Sequence, residues 1–176
     1  MTSAQETTGS STRSKDSKEV VQAFEALGTD EKLALLYYVY TKMGDSITPA
    51  APTTANPEVA PRLLGEFYDL SDDDQLAAMR SIVNREDTEL SRAYGALTEN
   101  NQLVVWYAWA VAMGDTVVDL PKDYQPTKAV NDVLPQIEAL DFEEQISALR
   151  KIAGDMGYSE VKPIPTQSET GKTASL

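Results

Sequence analysis

Slid against itself by 70 residues, the chain matches without a gap, and this repeat constrains the fold more than any single motif does. Leu27, Leu33, Tyr37, Met43, Gly44, Asp45, Leu64, Leu70, Gln75, Ala78, Arg80 and Ile82 recur as Leu97, Leu103, Tyr107, Met113, Gly114, Asp115, Leu134, Leu140, Gln145, Ala148, Arg150 and Ile152, giving 12 identities in 60 pairs. Ordinary composition would supply roughly a third as many. Within each half, apolar residues recur at helical spacing, as in Leu33, Leu36, Tyr37 and Tyr40 or Leu76, Met79, Ile82 and Val83, and strand-like alternation is scarce. The fold class is therefore all-α. A pseudo-twofold pair of helical subdomains is the architecture the repeat implies, with a single bundle lacking internal symmetry as the alternative.

Helix punctuation predicts the elements. Thr29, Ser71, Thr88, Thr98, Thr127 and Asp141 stand at N-cap positions, and Gly44, Gly114 and Gly157 follow Met43, Met113 and Met156 as C-terminal stops. The predicted helices span 18–27, 30–43, 57–68, 72–84, 88–96, 99–113, 128–139 and 142–156, with long Pro-bearing loops at 45–56 and 115–126. Residues 1–17 and 158–176 are polar and read as disordered tails, leaving one helical domain over 18–157. Each tail is charge-neutral, so the net charge of −13 falls within that domain.

Composition excludes much chemistry. With 0 Cys and 0 His, there is no disulfide, no thiolate nucleophile, no Ser-His couple and no zinc or haem site built on those ligands. Carboxylate bundle metal sites need Glu-x-x-His motifs, and neither a Gly-rich phosphate loop nor a Gly-x-Ser-x-Gly elbow occurs. The chain is not expected to be an enzyme. Its 28 Asp plus Glu against 15 Lys plus Arg oppose a nucleic-acid backbone. No apolar run approaches the ~18 residues that span a bilayer, the longest being Leu103 to Met113. The N-terminus has no apolar segment that reads as a signal peptide, which favours a cytoplasmic location.

The aromatics are concentrated: Tyr37, Tyr38 and Tyr40 in one predicted helix, Trp106, Tyr107 and Trp109 in the helix equivalent to it. Tyr37 and Tyr40 share a face, as do Trp106 and Trp109. One reading is an aromatic-rich core. The other is a slot between the halves, with Tyr37 facing Tyr107 and Leu36 facing Trp106, suited to an elongated apolar guest. Arg80 and Arg150 occupy equivalent positions, and the plain reading of each is a snorkelling side chain or a partner for a surface carboxylate. The acidic runs Asp72 to Asp74 and Glu143 to Glu144 lie in first helical turns, where the helix dipole stabilises them.

The runs Leu33-Ala34-Leu35-Leu36-Tyr37-Tyr38-Val39-Tyr40, Met43-Gly44, Ala50-Ala51-Pro52, Asn84-Arg85-Glu86-Asp87-Thr88, Val105-Trp106-Tyr107, Leu149-Arg150 and Asp155-Met156-Gly157 together resemble the N-terminal domain of the orange carotenoid protein family. The resemblance covers about residues 18–158 and is similar to the stand-alone helical carotenoid proteins. It implies two interleaved four-helix bundles around one ketocarotenoid of the canthaxanthin or echinenone type. It places the cofactor-binding residues at Leu33, Leu36, Tyr37, Tyr40, Met79, Leu103, Trp106, Tyr107, Ala110, Met113, Leu120, Pro121, Ile146 and Arg150, the last also matching an arginine used for docking to the phycobilisome.

The implied function is a soluble carotenoid carrier that quenches singlet oxygen. The alternative is a constitutive phycobilisome quencher docking through the Arg150 face. Implied partners are the carotenoid, a separate homologue of the family's C-terminal domain as donor, and the phycobilisome, with a location near thylakoid membranes. Tyr37 stands where the two-domain relatives usually carry Trp, Arg80 where they carry Cys and Ala110 where they carry Gly, departures that bear on ligand choice.

Overall fold

The computed structural model describes residues 17–47 and 60–160. The predicted tails up to 16 and from 161, the Ala50-Ala51-Pro52 run and the start of the predicted helix at 57 lie outside the described residues. Helix α1 covers residues 17–25, α2 Thr29–Ile47, α3 Asp72–Val83, α4 Glu89–Gly95, α5 Glu99–Ala112, α6 Lys128–Glu138 and α7 Phe142–Gly154. A 3₁₀ turn over Glu66–Asp69 precedes α3. The chain is all-α, and among the described residues the one β pairing is an isolated bridge between Met113 and Val117.

Five of the six predicted caps start their helices. The side chains of Ser71, Thr88, Thr98, Thr127 and Asp141 accept from the backbone N–H groups of Asp74, Ser91, Asn101, Val130 and Glu144. Each such bond satisfies one of the donors a helix leaves unpaired at its start and contributes about 0.5–2 kcal/mol. The exception is Thr29, which is already the first helical residue of α2. There the Gly28 N–H donates to Glu31 Oε1 at 3.0 Å, and the Thr29 hydroxyl is engaged instead with Asn84 Oδ1 at 2.9 Å.

Three other expectations are corrected. Gly44 does not end α2, which continues to Ile47, whereas the equivalent Gly114 adopts φ 84° just beyond α5 and turns the chain. The predicted helix at 57–68 is a series of turns closed by the 3₁₀ segment. Gly65, at φ −143° and ψ −78°, leaves helical space, and a Cβ there would lie 2.5 Å from the Pro61 carbonyl oxygen, so the chain reverses too tightly for a regular helix. Its equivalent, Pro135, is carried inside α6. Finally, residues 158–160, beyond the predicted boundary at 157, are packed against the helices. Gly157, at φ 81°, donates its N–H to Ile82 at 2.8 Å, Tyr158 donates to Ser91 at 3.1 Å, and Arg92 stacks over the Tyr158 ring and pairs with Glu160.

The core forms because each helix buries one stripe. Helix α3 buries Gln75, Met79, Ile82 and Val83, and α7 buries Gln145, Ala148, Leu149, Ile152 and Ala153. Helix α2 lies at the centre, packed against α3, α5, α6 and α7, while α3 packs on α4 and α5 on α7. Two buried glutamines 70 residues apart make the same bond. Gln75 Nε2 donates to the Phe67 carbonyl and Gln145 Nε2 to the Ile137 carbonyl, both at 3.2 Å and both eight residues back. These amides satisfy carbonyls at the ends of the preceding segments and hold each to the helix that follows.

Candidate functional site

Helix α5 reads Leu103-Val104-Val105-Trp106-Tyr107-Ala108-Trp109-Ala110-Val111-Ala112, apolar on nearly every side, so it serves the core and a second surface at once. That second surface is one wall of a cleft. Trp106, Trp109 and Ala110 of α5 and Met113 just beyond it face Leu33, Leu36 and Tyr37 of α2, with Leu76 and Met79 of α3 at the floor. Val118, Asp119 and Leu120, from the loop that follows α5, complete the lining. The cleft encloses about 60 Å³.

The tryptophan wall is fixed by hydrogen bonds and ring packing. Trp106 Nε1 donates to Tyr94 Oη at 2.8 Å, and that hydroxyl donates to the Ala153 carbonyl at 2.6 Å. Tyr94 is fully buried, and desolvation pushes its hydroxyl far above the usual tyrosine range, so it stays protonated and available as a donor. Trp109 Nε1 donates to the Leu63 carbonyl at 2.9 Å. Its ring stacks on Phe67 at 4.2 Å and 19° and meets Trp106 edge-on at 5.2 Å and 86°. Each indole N–H is thus committed to a protein acceptor.

The loop is tied at both ends. Buried Gln75 donates from Nε2 to the Thr116 carbonyl and accepts at Oε1 from the Val118 N–H, each at 2.8 Å. At the far end the Thr127 hydroxyl bonds to Glu31, whose carboxylate this bond and the Gly28 N–H hold below the ordinary glutamate range. Between the two ties Leu120 projects into the cleft lining.

Of the fourteen expected site residues, Leu33, Leu36, Tyr37, Met79, Trp106, Ala110, Met113 and Leu120 come together at this cleft. Tyr40 and Tyr107 meet each other edge-on at 5.3 Å instead, which corrects the expected pairing of Tyr37 with Tyr107. Tyr37 sits one turn earlier on α2 and lies against Tyr38 at 5.8 Å. Leu103 and Ile146 are half-buried, whereas Pro121 and Arg150 are exposed and lie outside the cleft lining. Arg80 binds both carboxylate oxygens of Asp30 at 2.9 and 3.0 Å, and its equivalent Arg150 makes no such bond among the described residues.

Leu76, Trp109, Val118 and Asp119 also line the cleft but were not among the expected site residues. Trp109 was visible as sharing the Trp106 face and Leu76 as part of the apolar pattern. The two loop residues carried no signal, because a loop has no period from which to read a face.

A larger hollow of about 190 Å³ lies among Gly95, Gln102, Gly154 and Met156, with Arg85 and Glu99 in its lining. It has no comparable concentration of aromatic faces. Among the described residues no group of carboxylates is placed to hold a metal ion, and no helix is long and apolar enough to cross a membrane.

The family described as Orange carotenoid protein, N-terminal, matches residues 10–159. The chain belongs to the orange carotenoid protein N-terminal domain family. Relatives in this family are orange carotenoid-binding proteins. The chain is 41% identical over 138 residues to an orange carotenoid-binding domain-containing protein of Nostoc sp., covering 78% of this chain and 81% of that one. It is 33% identical to the orange carotenoid-binding protein of Limnospira maxima, covering 81% of this chain but 45% of that longer relative. Among solved structures, the red carotenoid protein of Anabaena (Nostoc) sp. binding canthaxanthin aligns with TM-score 0.71 at 32% identity, covering 81% of this chain and 99% of that one. The orange carotenoid protein of the same organism binding canthaxanthin aligns with TM-score 0.73 at 28% identity, covering 81% of this chain and 46% of that one.

Proposed function

We propose that this chain holds a ketocarotenoid of the canthaxanthin or echinenone type between α2 and α5 and protects against singlet oxygen. The observation that carries this reading is the aromatic and aliphatic cleft between these two helices, in a fold shared with a relative that binds canthaxanthin. The donor set fits such a guest: flat indole faces and aliphatic side chains suit a rod-like polyene, with a small number of polar groups to set its orientation. Length also fits, since the 19 residues of α2 span about 28 Å, comparable with a rod of roughly 30 Å. At about 60 Å³ the cleft is far below the ~300–1,000 Å³ of small-molecule sites. The guest is larger than this space, so the cleft must widen on loading.

A bound ketocarotenoid would supply the low-lying excited states that accept energy from singlet oxygen and return it as heat. The protein's part is to hold, orient and cover. Trp106 and Trp109 provide the fixed wall, Leu33, Leu36 and Tyr37 the opposite one, and Leu120 the cover, while Met79 and Met113 adapt to irregular contacts. A separate homologue of the family's C-terminal domain is the donor we envisage, with the chain acting near thylakoid membranes.

A second reading is a phycobilisome quencher docking through Arg150. It is favoured by the contrast between Arg150, exposed and without an ion pair among the described residues, and Arg80, engaged by Asp30. Two assays on the pigmented protein separate the readings. Singlet-oxygen lifetimes shorten under both. Fluorescence of isolated phycobilisomes falls only if the chain docks, and Arg150→Leu then abolishes the effect. Unchanged singlet-oxygen lifetimes would contradict the primary reading.

A further inference from the structure

The cleft lining contains four side chains with polar atoms, Tyr37, Trp106, Trp109 and Asp119, and their commitments differ. Trp106 Nε1 is taken by Tyr94 and Trp109 Nε1 by the Leu63 carbonyl. An ionised Asp119 only accepts, and one of its oxygens already takes the Leu120 N–H at 2.8 Å. Tyr37 is half-buried with its ring against Tyr38, and its hydroxyl makes no hydrogen bond among the described residues. Tyr37 therefore brings to the cleft lining a side-chain donor with no partner among the described residues, beside Asp119, an acceptor.

We propose that the Tyr37 hydroxyl is the donor that recognises a ring carbonyl of the guest and makes this chain prefer ketocarotenoids over carotenes, an inference that rests on the carotenoid reading above. A carbonyl oxygen has lone pairs and no proton, so it needs a donor and is repelled by the Asp119 carboxylate. The tryptophans offer it only ring faces. A ring lacking the carbonyl forfeits the bond, and because Tyr37 is half-buried, not sealed from solvent, the discrimination is moderate. A neutral hydrogen bond of this kind corresponds to a preference of roughly threefold to tenfold. Tyr37 is a specificity-determining residue in this assignment, and the aromatic and aliphatic contacts hold keto and non-keto rings alike.

The test is competitive loading of the full chain with equimolar canthaxanthin and β-carotene, followed by extraction and pigment quantification, for the natural protein and Tyr37→Phe. The natural protein should be enriched in canthaxanthin by about threefold to tenfold. In Tyr37→Phe the ratio should fall to near one. Resonance Raman spectra of the canthaxanthin-loaded natural protein should show a carbonyl stretch lowered relative to an apolar solvent, returning to the solvent value in Tyr37→Phe. An unchanged ratio in Tyr37→Phe, or a solvent-like carbonyl stretch in the natural protein, overturns the assignment even if the variant folds poorly. Equal uptake of both pigments by the natural protein overturns it while leaving the carotenoid reading standing. Uptake of neither, even when each is offered on a loaded donor domain, overturns both.

Discussion

At the scale of single residues, Tyr94 has the most to lose from a small change. Its hydroxyl both accepts from Trp106 and donates to the Ala153 carbonyl, with no exposed surface. Tyr94→Phe keeps the ring, leaves the buried Trp106 N–H without its partner and takes one donor from the Ala153 carbonyl, which still accepts from the backbone, and should cost about 1–3 kcal/mol. The urea midpoint should fall with an unchanged slope, and an unchanged midpoint would show that neither bond matters. Pigment retention provides a second residue-level test. Trp106→Ala should release pigment more readily than Tyr38→Ala, because Trp106 lines the cleft and Tyr38 does not, and Tyr40→Ala should do so by removing the partner of Tyr107. Equal retention in all three variants would contradict the slot. Arg80 illustrates what a sequence reveals at this scale. An arginine on an acidic helical surface reads as one half of an ion pair, but its partner, Asp30, lies 50 residues away and no local spacing points to it. The same holds for Trp106 and Tyr94. The face on which the indole lies follows from helical period, but the acceptor for its N–H follows only from how α4 packs against α5 and α7.

At the scale of elements, the loop after α5 is held by side chains from helices distant in sequence. Gln75→Leu removes the ties to Thr116, Val118 and Phe67 while keeping the volume apolar. Hydrogen exchange at the Val118 amide should accelerate strongly, with α6 much less affected; equal protection in both proteins would show that the loop needs no tie. The other anchor depends on pH. Because the folded-state acidity of Glu31 lies below the ordinary glutamate range, its contribution is present above that range and is lost as pH falls through the folded value. Protection factors in residues 120–127, corrected for the intrinsic pH dependence of exchange, should therefore fall on acidification below the ordinary range, and Glu31→Gln should remove that component. Persistence of the whole pH response in Glu31→Gln would contradict it. Helix starts were legible because capping chemistry is local, as at Ser71 and Asp141, whereas two ends were not. Gly44 is tolerated within α2, since one glycine costs a helix only about 1 kcal/mol and packing overrides it. The segment before α3 has helical composition but reverses at Gly65, where Pro61 approaches too closely for any side chain.

At the scale of the whole molecule, α2 and α5 carry the densest aromatic clusters and meet across the cleft, which the 70-residue repeat had placed at equivalent positions. That a cleft lies between these two helices was therefore legible from the placement of their aromatic residues. Its closure was not, because a volume of about 60 Å³ is set by how far two helices and a loop approach, and no residue pattern encodes that distance. Closure predicts that loading is slow relative to diffusion and accelerates when the loop is loosened, so Gln75→Leu should take up canthaxanthin faster than the natural protein. Identical rates would place the barrier elsewhere. The net charge of −13 acts over the same scale. On the phycobilisome reading, docking that strengthens with added salt would mark like-charge repulsion from this acidic chain being screened, and docking that weakens with salt would mark an attractive charged contact such as one through Arg150. The carotenoid assignment itself rests on the visible absorption spectrum of the protein purified from cells that make canthaxanthin. A coloured protein, with absorption shifted to the red of the free pigment and co-eluting with the polypeptide, is the predicted result. A folded helical protein that stays colourless in those cells, and also when mixed with a canthaxanthin-loaded donor domain, would contradict it.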